Sequence, residues 1–512
     1  MSARMAKRNR LADPKKPRIL IVTPEITYLP EGMGNLAGQM SAKAGGMADV
    51  SASLVAALFD LGADVHVALP HYRRMFHEET AKLVAEELRV YKSRMPNERI
   101  HLAEDRCFYY RDHVYSRGDG NAKLSLAFQR EVINNIMNTV QPDLIHCNDW
   151  MTGLVPAAAR RMGIPSLFTV HNIHTQKLNL AAIEDSGIDA AEFWTNLYYS
   201  YPPYKYEESR NNNQIDLQAS GCFAAHFINT VSPTFLQEIV NGWHSFIPDS
   251  IRNEIRNKFN AGCAAGILNA PDSADNPATD DKIPFKYGPD AHVEGKRSNK
   301  LALQHALGLE ENPDKALFFW PSRLDPIQKG PQLLTDITYR FLEKHPDAQI
   351  AVIANGPFQQ PFWDIQNFHG LHKRLGVHDF DGRLSQLGFA ASDFTLMPSL
   401  FEPCGLPQMQ APIYGSLAVA HNTGGLHDTV ETLDWGASKG NGFVFDTYDS
   451  GGLFWAMDRA MDFFHAPADI REREISRVMT ESLARFNHEA CAREYIKLYE
   501  QMLDRPLVKR EN

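Results

Sequence analysis

Short apolar runs alternate with helix-period segments along the first half of the chain. Arg18–Thr23 is an unbroken apolar run closed by Pro24, the pattern of a strand buried on both faces. Asp49–Leu61 spaces Val50, Leu54, Val55 and Leu58 at a helical period, and Asp64–Leu69 returns to a strand pattern. Further strands are predicted at Asp143–Cys147, Ser166–Val170 and His226–Val231. This alternation predicts an α/β fold with a doubly wound parallel sheet. The periodicity then lapses over Ala270–Tyr287, rich in Pro, Asp, Ser and Asn, which reads as an interdomain crossing. It restarts at Ala316–Trp320, Gln349–Ala354, Asp393–Met397 and Leu417–Ala420, and Arg471–Leu503 carries a helical pattern. The expected organisation is a basic, disordered tail over 1–17, one Rossmann-like domain over 18–275, a second over 276–475 and a terminal helix over 476–512. Two such domains facing a crevice would place ligands at the carboxyl ends of their strands.

Composition narrows the class. A chain of 512 residues exceeds what one core usually supports, and 44% hydrophobic residues supply ample apolar surface for two. A net charge of -10 argues against a nucleic-acid binder. No apolar stretch is long enough to span a bilayer, and the basic run Arg4–Arg18 lacks the apolar segment of a secretory signal. Six cysteines without a C-x-x-C pair read as reduced thiols in a cytoplasmic protein.

The chemistry concentrates in a few strings. In Met397–Val430, Glu402 precedes Pro403-Cys404-Gly405-Leu406, and an apolar strand leads to Thr423-Gly424-Gly425. An acid suits sugar hydroxyls, and glycine amides suit a diphosphate. Lys43-Ala44-Gly45-Gly46 opens a helix after a glycine-bearing loop, setting a cation and backbone N–H groups where a phosphate could rest. Arg323 and Lys329 share one loop after an apolar strand and could neutralise a departing diphosphate. His146-Cys147-Asn148-Asp149-Trp150 and Phe168–Asn172, with His171, each end a strand. His146, Cys147, His171 and His174 also carry metal-ligand chemistry, although their spacing matches no standard structural zinc site.

These strings resemble, in order, hallmark strings of bacterial glycogen synthases and plant starch synthases: K-T-G-G-L-A-D-V at Lys43–Val50, H-x-H-D-W at His146–Trp150, E-P-C-G-L at Glu402 and T-G-G-L at Thr423. The resemblance covers Arg18 to about Leu503. It implies a GT-B architecture whose terminal helix packs back on the first domain, and a retaining glucosyltransferase. The donor would be ADP-glucose or UDP-glucose and the acceptor the non-reducing 4-hydroxyl of an α-1,4-glucan. No cofactor, metal, nucleic acid or membrane partner is implied. The catalytic residues it implies are His171, Glu402, Arg323, Lys329 and Asp149. The donor-binding residues are Lys43, Gly45, Gly46, Asn269, Phe380, Cys404, Gly405, Leu406, Thr423, Gly424 and Gly425, with Phe380 stacking on the base or filling the core.

Several positions depart from the family pattern. Asn148 replaces a histidine, Leu400 replaces an arginine, Gln410 replaces the second acid of a Glu-x7-Glu pair, and the Arg323–Lys329 loop is one residue longer. Leu400 and the longer loop are the support for an alternative, a catalytically weakened glucan-binding or regulatory paralogue. A phosphorylase on the same architecture would need a Schiff-base lysine and pyridoxal phosphate.

Overall fold

Parallel ladders organise both halves of the chain. The computed structural model describes residues 16–34, 36–76, 99–115, 120–356 and 358–508; the expected tail over 1–17 lies almost wholly outside them. The strands are β1 (Arg18–Val22), β2 (Asp64–Pro70), β3 (Ile100–Ala103), β4 (Leu144–Asn148), β5 (Ser166–Val170), β6 (Lys177–Leu178), β7 (Ile215–Asp216), β8 (Phe227–Thr230) and β9 (Ala264–Gly266). They continue with β10 (Ala316–Trp320), β11 (Ala348–Ile353), β12 (Leu375–His378), β13 (Phe394–Met397), β14 (Leu417–His421) and β15 (Gly442–Phe445).

One sheet runs β3-β2-β1-β4-β5-β8-β9 and the other β12-β11-β10-β13-β14-β15; β6 and β7 form a separate antiparallel pair. The β1/β2, β1/β4 and β4/β5 ladders are parallel, as are β10/β11, β10/β13 and β13/β14. In each sheet the strand order reverses beside the first strand of its series, between β1 and β4 and between β10 and β13. Ligands of such sheets bind beyond the carboxyl ends of the strands at that reversal.

The chain divides into one compact unit that reaches Ile228 and takes in residues from Ala492 onward, and a second of Asn229–Cys491. The division falls before the crossing expected at 270–287. Its cause lies in the helix Pro233–Asn241, which Ser232 caps by accepting from Phe235 N and which ends at the left-handed Gly242. Asp428 accepts from Ser232 Oγ at 2.5 Å and from Thr234 N and Oγ1, while Glu238 accepts from Thr423 and Gly424, so the helix clusters with the later strands.

The second sheet is buried on both faces. Phe318, Trp320, Ile350 and Val352 point into one core, and Leu317, Phe319, Ala351 and Ile353 into the other, the period-two alternation of a covered sheet. The expected helix over Asp49–Leu61 begins earlier, at Gly46, and the terminal helical stretch is two helices, Ala468–Arg485 and His488–Leu503. No helix among the described residues is long and apolar enough to cross a membrane.

Candidate functional site

In the second unit, the β10 and β13 carboxyl ends carry Arg323 and Glu402, three and five residues past their strands. Glu402 is buried, and its Oε2 accepts from Lys329 Nζ at 2.5 Å and from Ser399 Oγ at 3.0 Å. The longer loop therefore still delivers its lysine to the acid. Gly330, at φ 71°, makes this possible: a Cβ there would fall 2.2 Å from Pro398 O. Arg323 is exposed, and its side chain has no hydrogen-bond or ion-pair partner among the described residues.

Three further features surround this pair. The helix Pro407–Ile413 opens beside Gly405, φ 75°, and the backbone N–H groups of Gly405 and Leu406 have no acceptor among the described residues. Asn269 is buried with its Oδ1 unpaired. Its backbone N–H is directed to the buried Cys404 thiol, whose pKa burial raises. A buried amide oxygen without a partner costs free energy unless something else supplies a donor. Phe380 is 57% exposed, so the alternative that it fills the core fails. Asn355 joins it to the arginine loop, its Oδ1 accepting from Phe380 N and its carbonyl from Leu324 N.

The Thr423-Gly424-Gly425 backbone is engaged within the chain. The N–H groups read from sequence as open to an anion are already donated: Thr423 N to His421 O, Gly424 N to Glu238 Oε1 and Gly425 N to Glu402 O. Burial raises the Glu238 pKa, but bonds from His244 and Gly424 outweigh it and hold the carboxyl below its usual range. The physical need for glycine here is close approach of one loop to another. Gln410, at the place of the missing second acid, is directed to Gln386 at 3.2 Å.

In the first unit, Lys43 is ion-paired to Asp49 at 2.6 Å. Glu25, absent from the sequence-based set, accepts from Ala44 N at 2.6 Å and Gly45 N at 2.9 Å. The Gly45 amide is thus already donated, and the amide left without an acceptor among the described residues is that of Gly46. An acid three residues beyond β1, next to a glycine-bearing loop, was the available signal for Glu25.

The β4 end builds a histidine–carboxylate cluster. His146 is buried between Tyr499 Oη at 2.7 Å and Thr169 Oγ1 at 2.5 Å, which occupies both ring nitrogens and makes it structural. Asn148 donates to Val22 O, which fixes its amide so that Oδ1 faces His171 Nε2 at 2.8 Å. His171 therefore carries its proton on Nε2, and burial lowers its pKa to about 4, leaving a neutral ring. Asn148 thus orients the candidate catalytic histidine.

Asp149 is held at φ 56°, ψ -179°, a backbone conformation strained for any residue but glycine. It accepts from His171 N and Asn172 Nδ2, both at 2.8 Å. Burial pushes its pKa up to about 7, against the lowering effect of hydrogen bonds from the His171, Gln218 and Asn172 side. The native state thus keeps a proton that the unfolded chain releases near 3.8. Its stabilisation is full below that value and is lost as pH rises through about 7. Thermal denaturation should show the melting temperature of the wild type, relative to Asp149→Asn, falling between pH 5 and pH 8. A difference that stays flat across that range would refute the shift.

Residues 18–248 match the family model described as starch synthase catalytic domain, and residues 307–474 match glycosyl transferases group 1. The glycogen synthase of Exiguobacterium sibiricum is 31% identical over 485 residues, spanning 89% of this chain and 95% of that one. That of Moorella thermoacetica is 30% identical, spanning 95% and 97%. The catalytic domain of starch synthase IV from Arabidopsis thaliana, solved with ADP and acarbose, is similar with a TM-score of 0.75 at 25% identity, covering 96% of this chain and all of that one. Sucrose-phosphate synthase from Thermosynechococcus elongatus, at a TM-score of 0.56 and 16% identity, is alike in fold.

Proposed function

The chain belongs to the glycogen and starch synthase family of glycosyltransferases, and from that premise we propose that it transfers glucose from a nucleoside diphosphate glucose to the non-reducing 4-hydroxyl of an α-1,4-glucan, with retention of configuration. ADP-glucose is the favoured donor over UDP-glucose, a choice supported by the ADP in the starch synthase IV structure.

The observation that carries this reading is the polar set around Glu402. A buried acid is neutralised by Lys329 at 2.5 Å, an exposed arginine shares the lysine's loop, and two backbone amides and a buried amide oxygen lack partners among the described residues. In the proposed reaction, Arg323, Lys329 and the Gly405 and Leu406 amides stabilise charge on the departing diphosphate. Glu402 and Asn269 hold glucose hydroxyls, and Phe380 stacks on the base. As the glycosidic bond to phosphate breaks, positive charge develops at the anomeric carbon. The acceptor hydroxyl then attacks from the face the diphosphate leaves, passing its proton to a phosphate oxygen. The neutral ring of His171 adds no opposing charge in this scheme.

Incubation with glycogen and radiolabelled ADP-glucose or UDP-glucose tests the reading. Label should enter the polymer faster from ADP-glucose and be released by an α-specific glucosidase. Absence of incorporation from both donors would overturn the activity, and release only by a β-specific enzyme would overturn retention. The weakened-paralogue alternative rested on Leu400 and the longer loop. The loop delivers Lys329 to Glu402, and Leu400 contributes a backbone N–H to Gln328 O.

A further inference from the structure

The second unit carries an aromatic platform that no part of the donor chemistry uses. The helix Pro233–Asn241 ends at Gly242, and the chain then presents Trp243, 69% exposed, and Phe246, 45% exposed. The Phe246 ring packs against Phe401, with centroids 4.2 Å apart and planes inclined by 34°. His244 buttresses both rings, at 5.2 Å from Phe246 and 6.0 Å from Phe401, and is itself fixed by Glu238 at 2.8 Å. Leu400 is exposed next to Phe401, and the exposed Ile327 is joined to it through the Leu400 N–H bond to Gln328 O.

The Phe246, Phe401 and His244 rings, held together rather than scattered singly, mark a binding surface, and Trp243 stands exposed three residues before Phe246 on the same segment. Its position identifies the occupant. Phe401 is followed directly by Glu402, and Gln328 by Lys329, so the platform is continuous with the polar set assigned to glucose and diphosphate. A flat aromatic surface suits the apolar C–H faces of pyranose rings, and neither ring pair nor Leu400 offers charge. We propose that Trp243 and Phe246, backed by Phe401, stack against glucose units of the acceptor glucan and position the chain end toward Glu402. The inference rests on the glucan synthase reading and adds the residues that hold its acceptor. Leu400, exposed beside Phe401, extends the apolar approach to the site.

The test uses the full chain. Trp243→Ala and Phe246→Ala should each raise the KM for glycogen and for maltoheptaose about tenfold, the order of one well-made aromatic stacking contact. The KM for the donor should hold in both, and the melting temperature should hold in Trp243→Ala, whose ring is 69% exposed, and in Phe246→Tyr, which keeps the ring on Phe401. Trp243→Phe and Phe246→Tyr should restore the glucan KM. Maltoheptaose without donor should quench tryptophan fluorescence in the wild type and not in Trp243→Ala. Unchanged glucan KM in both alanine variants, with glucose transfer intact in the wild type, would overturn the platform and leave the synthase reading standing. Loss of self-association in sedimentation, with glucan KM unchanged, would overturn it in favour of a second copy of the chain. Fluorescence quenching by maltoheptaose in a wild type that transfers no glucose would support the platform as a glucan site while the synthase reading falls.

Discussion

Glu402→Gln should lower the rate of glucosyl transfer by ~10²-fold or more, the scale of losing one preorganised polar contact in such a site. The substitution keeps the shape of the side chain and the contact with Ser399, and it removes the charge that Lys329 meets at 2.5 Å. It therefore leaves an ammonium in a site only 13% exposed with no anion beside it. Breaking a buried pair from one side costs on the order of 3–5 kcal/mol, because the remaining charge has lost its solvent and its partner. Lys329→Met should destabilise in the same way, from the carboxylate side. The double variant Glu402→Gln, Lys329→Met should recover most of that melting temperature, since both charges are gone, while activity stays low. Stability and catalysis are thereby separated: a mutant cycle in melting temperature reports the pair, and the rate reports the chemistry. If Glu402→Gln turned over at near wild-type rates with saturating donor, the acid would be a packing element and its proposed grip on glucose would be abandoned.

Much of the fold was legible because long apolar strands advertise themselves. The runs at Arg18, Asp64, Ser166, Ala316 and Leu417 became β1, β2, β5, β10 and β14 with ends shifted by a residue or less. The strands that went unread are short and carry weak patterns. β9 is Ala-Ala-Gly, β3 alternates its apolar residues with His101, and β15 opens on Gly442. Their pairing is decided by neighbours far along the chain, which no local period records. The helical stretch near the C-terminus is divided at Asn487, whose Oδ1 accepts from Ala490 N and so starts a second helix. That capping role was available in the sequence, but the apolar period runs through it.

The candidate site was legible as residue types and illegible as partnerships. Lys329, Glu402, Asn269 and Gly405 were singled out from their strings, and the structure brings them to one loop cluster in the second unit. The acids that take up the glycine amides could not be read from those strings. Glu25 lies 19 residues before Ala44, and Glu238 lies 186 residues before Gly424. Both carboxylates act through contacts made only once the chain has folded. Asn148 shows another case: its string assigned it no role of its own, and its hydrogen bonds make it the group that orients His171.

Gly425→Ala should collapse the site, whereas Gly46→Ala should leave the fold untouched, although the two glycine pairs look equivalent in sequence. A Cβ on Gly425 would fall 1.9 Å from Cys404 O and 2.5 Å from the Cys404 C and Cα atoms. A Cβ on Gly424 would fall 2.0 Å from Glu402 O, at a φ of 44°. Backbone cannot yield as a flexible side chain does, so the Glu402–Cys404 loop must move or the Thr423 turn must open. The Gly425 N–H bond to Glu402 O, at 2.9 Å, goes with it. Overpacking of this kind costs ~1–3 kcal/mol where side chains can adjust and more where they cannot. Gly425→Ala should therefore lower the melting temperature by several degrees and reduce transfer to near background. At Gly45 and Gly46, by contrast, a Cβ meets nothing within 4 Å, and the Gly46 N–H is without an acceptor among the described residues. Packing gives no reason for glycine there, and alanine in the first turn of a helix is favourable. The proposed reason for glycine there is a ligand whose phosphate comes up against the backbone. Gly46→Ala should accordingly keep or raise the melting temperature and raise the KM for the nucleotide sugar about tenfold or more, the scale of one lost contact. Equal melting temperatures for Gly425→Ala and the wild type would refute the close-approach account. An unchanged donor KM in Gly46→Ala would remove the phosphate from that helix start.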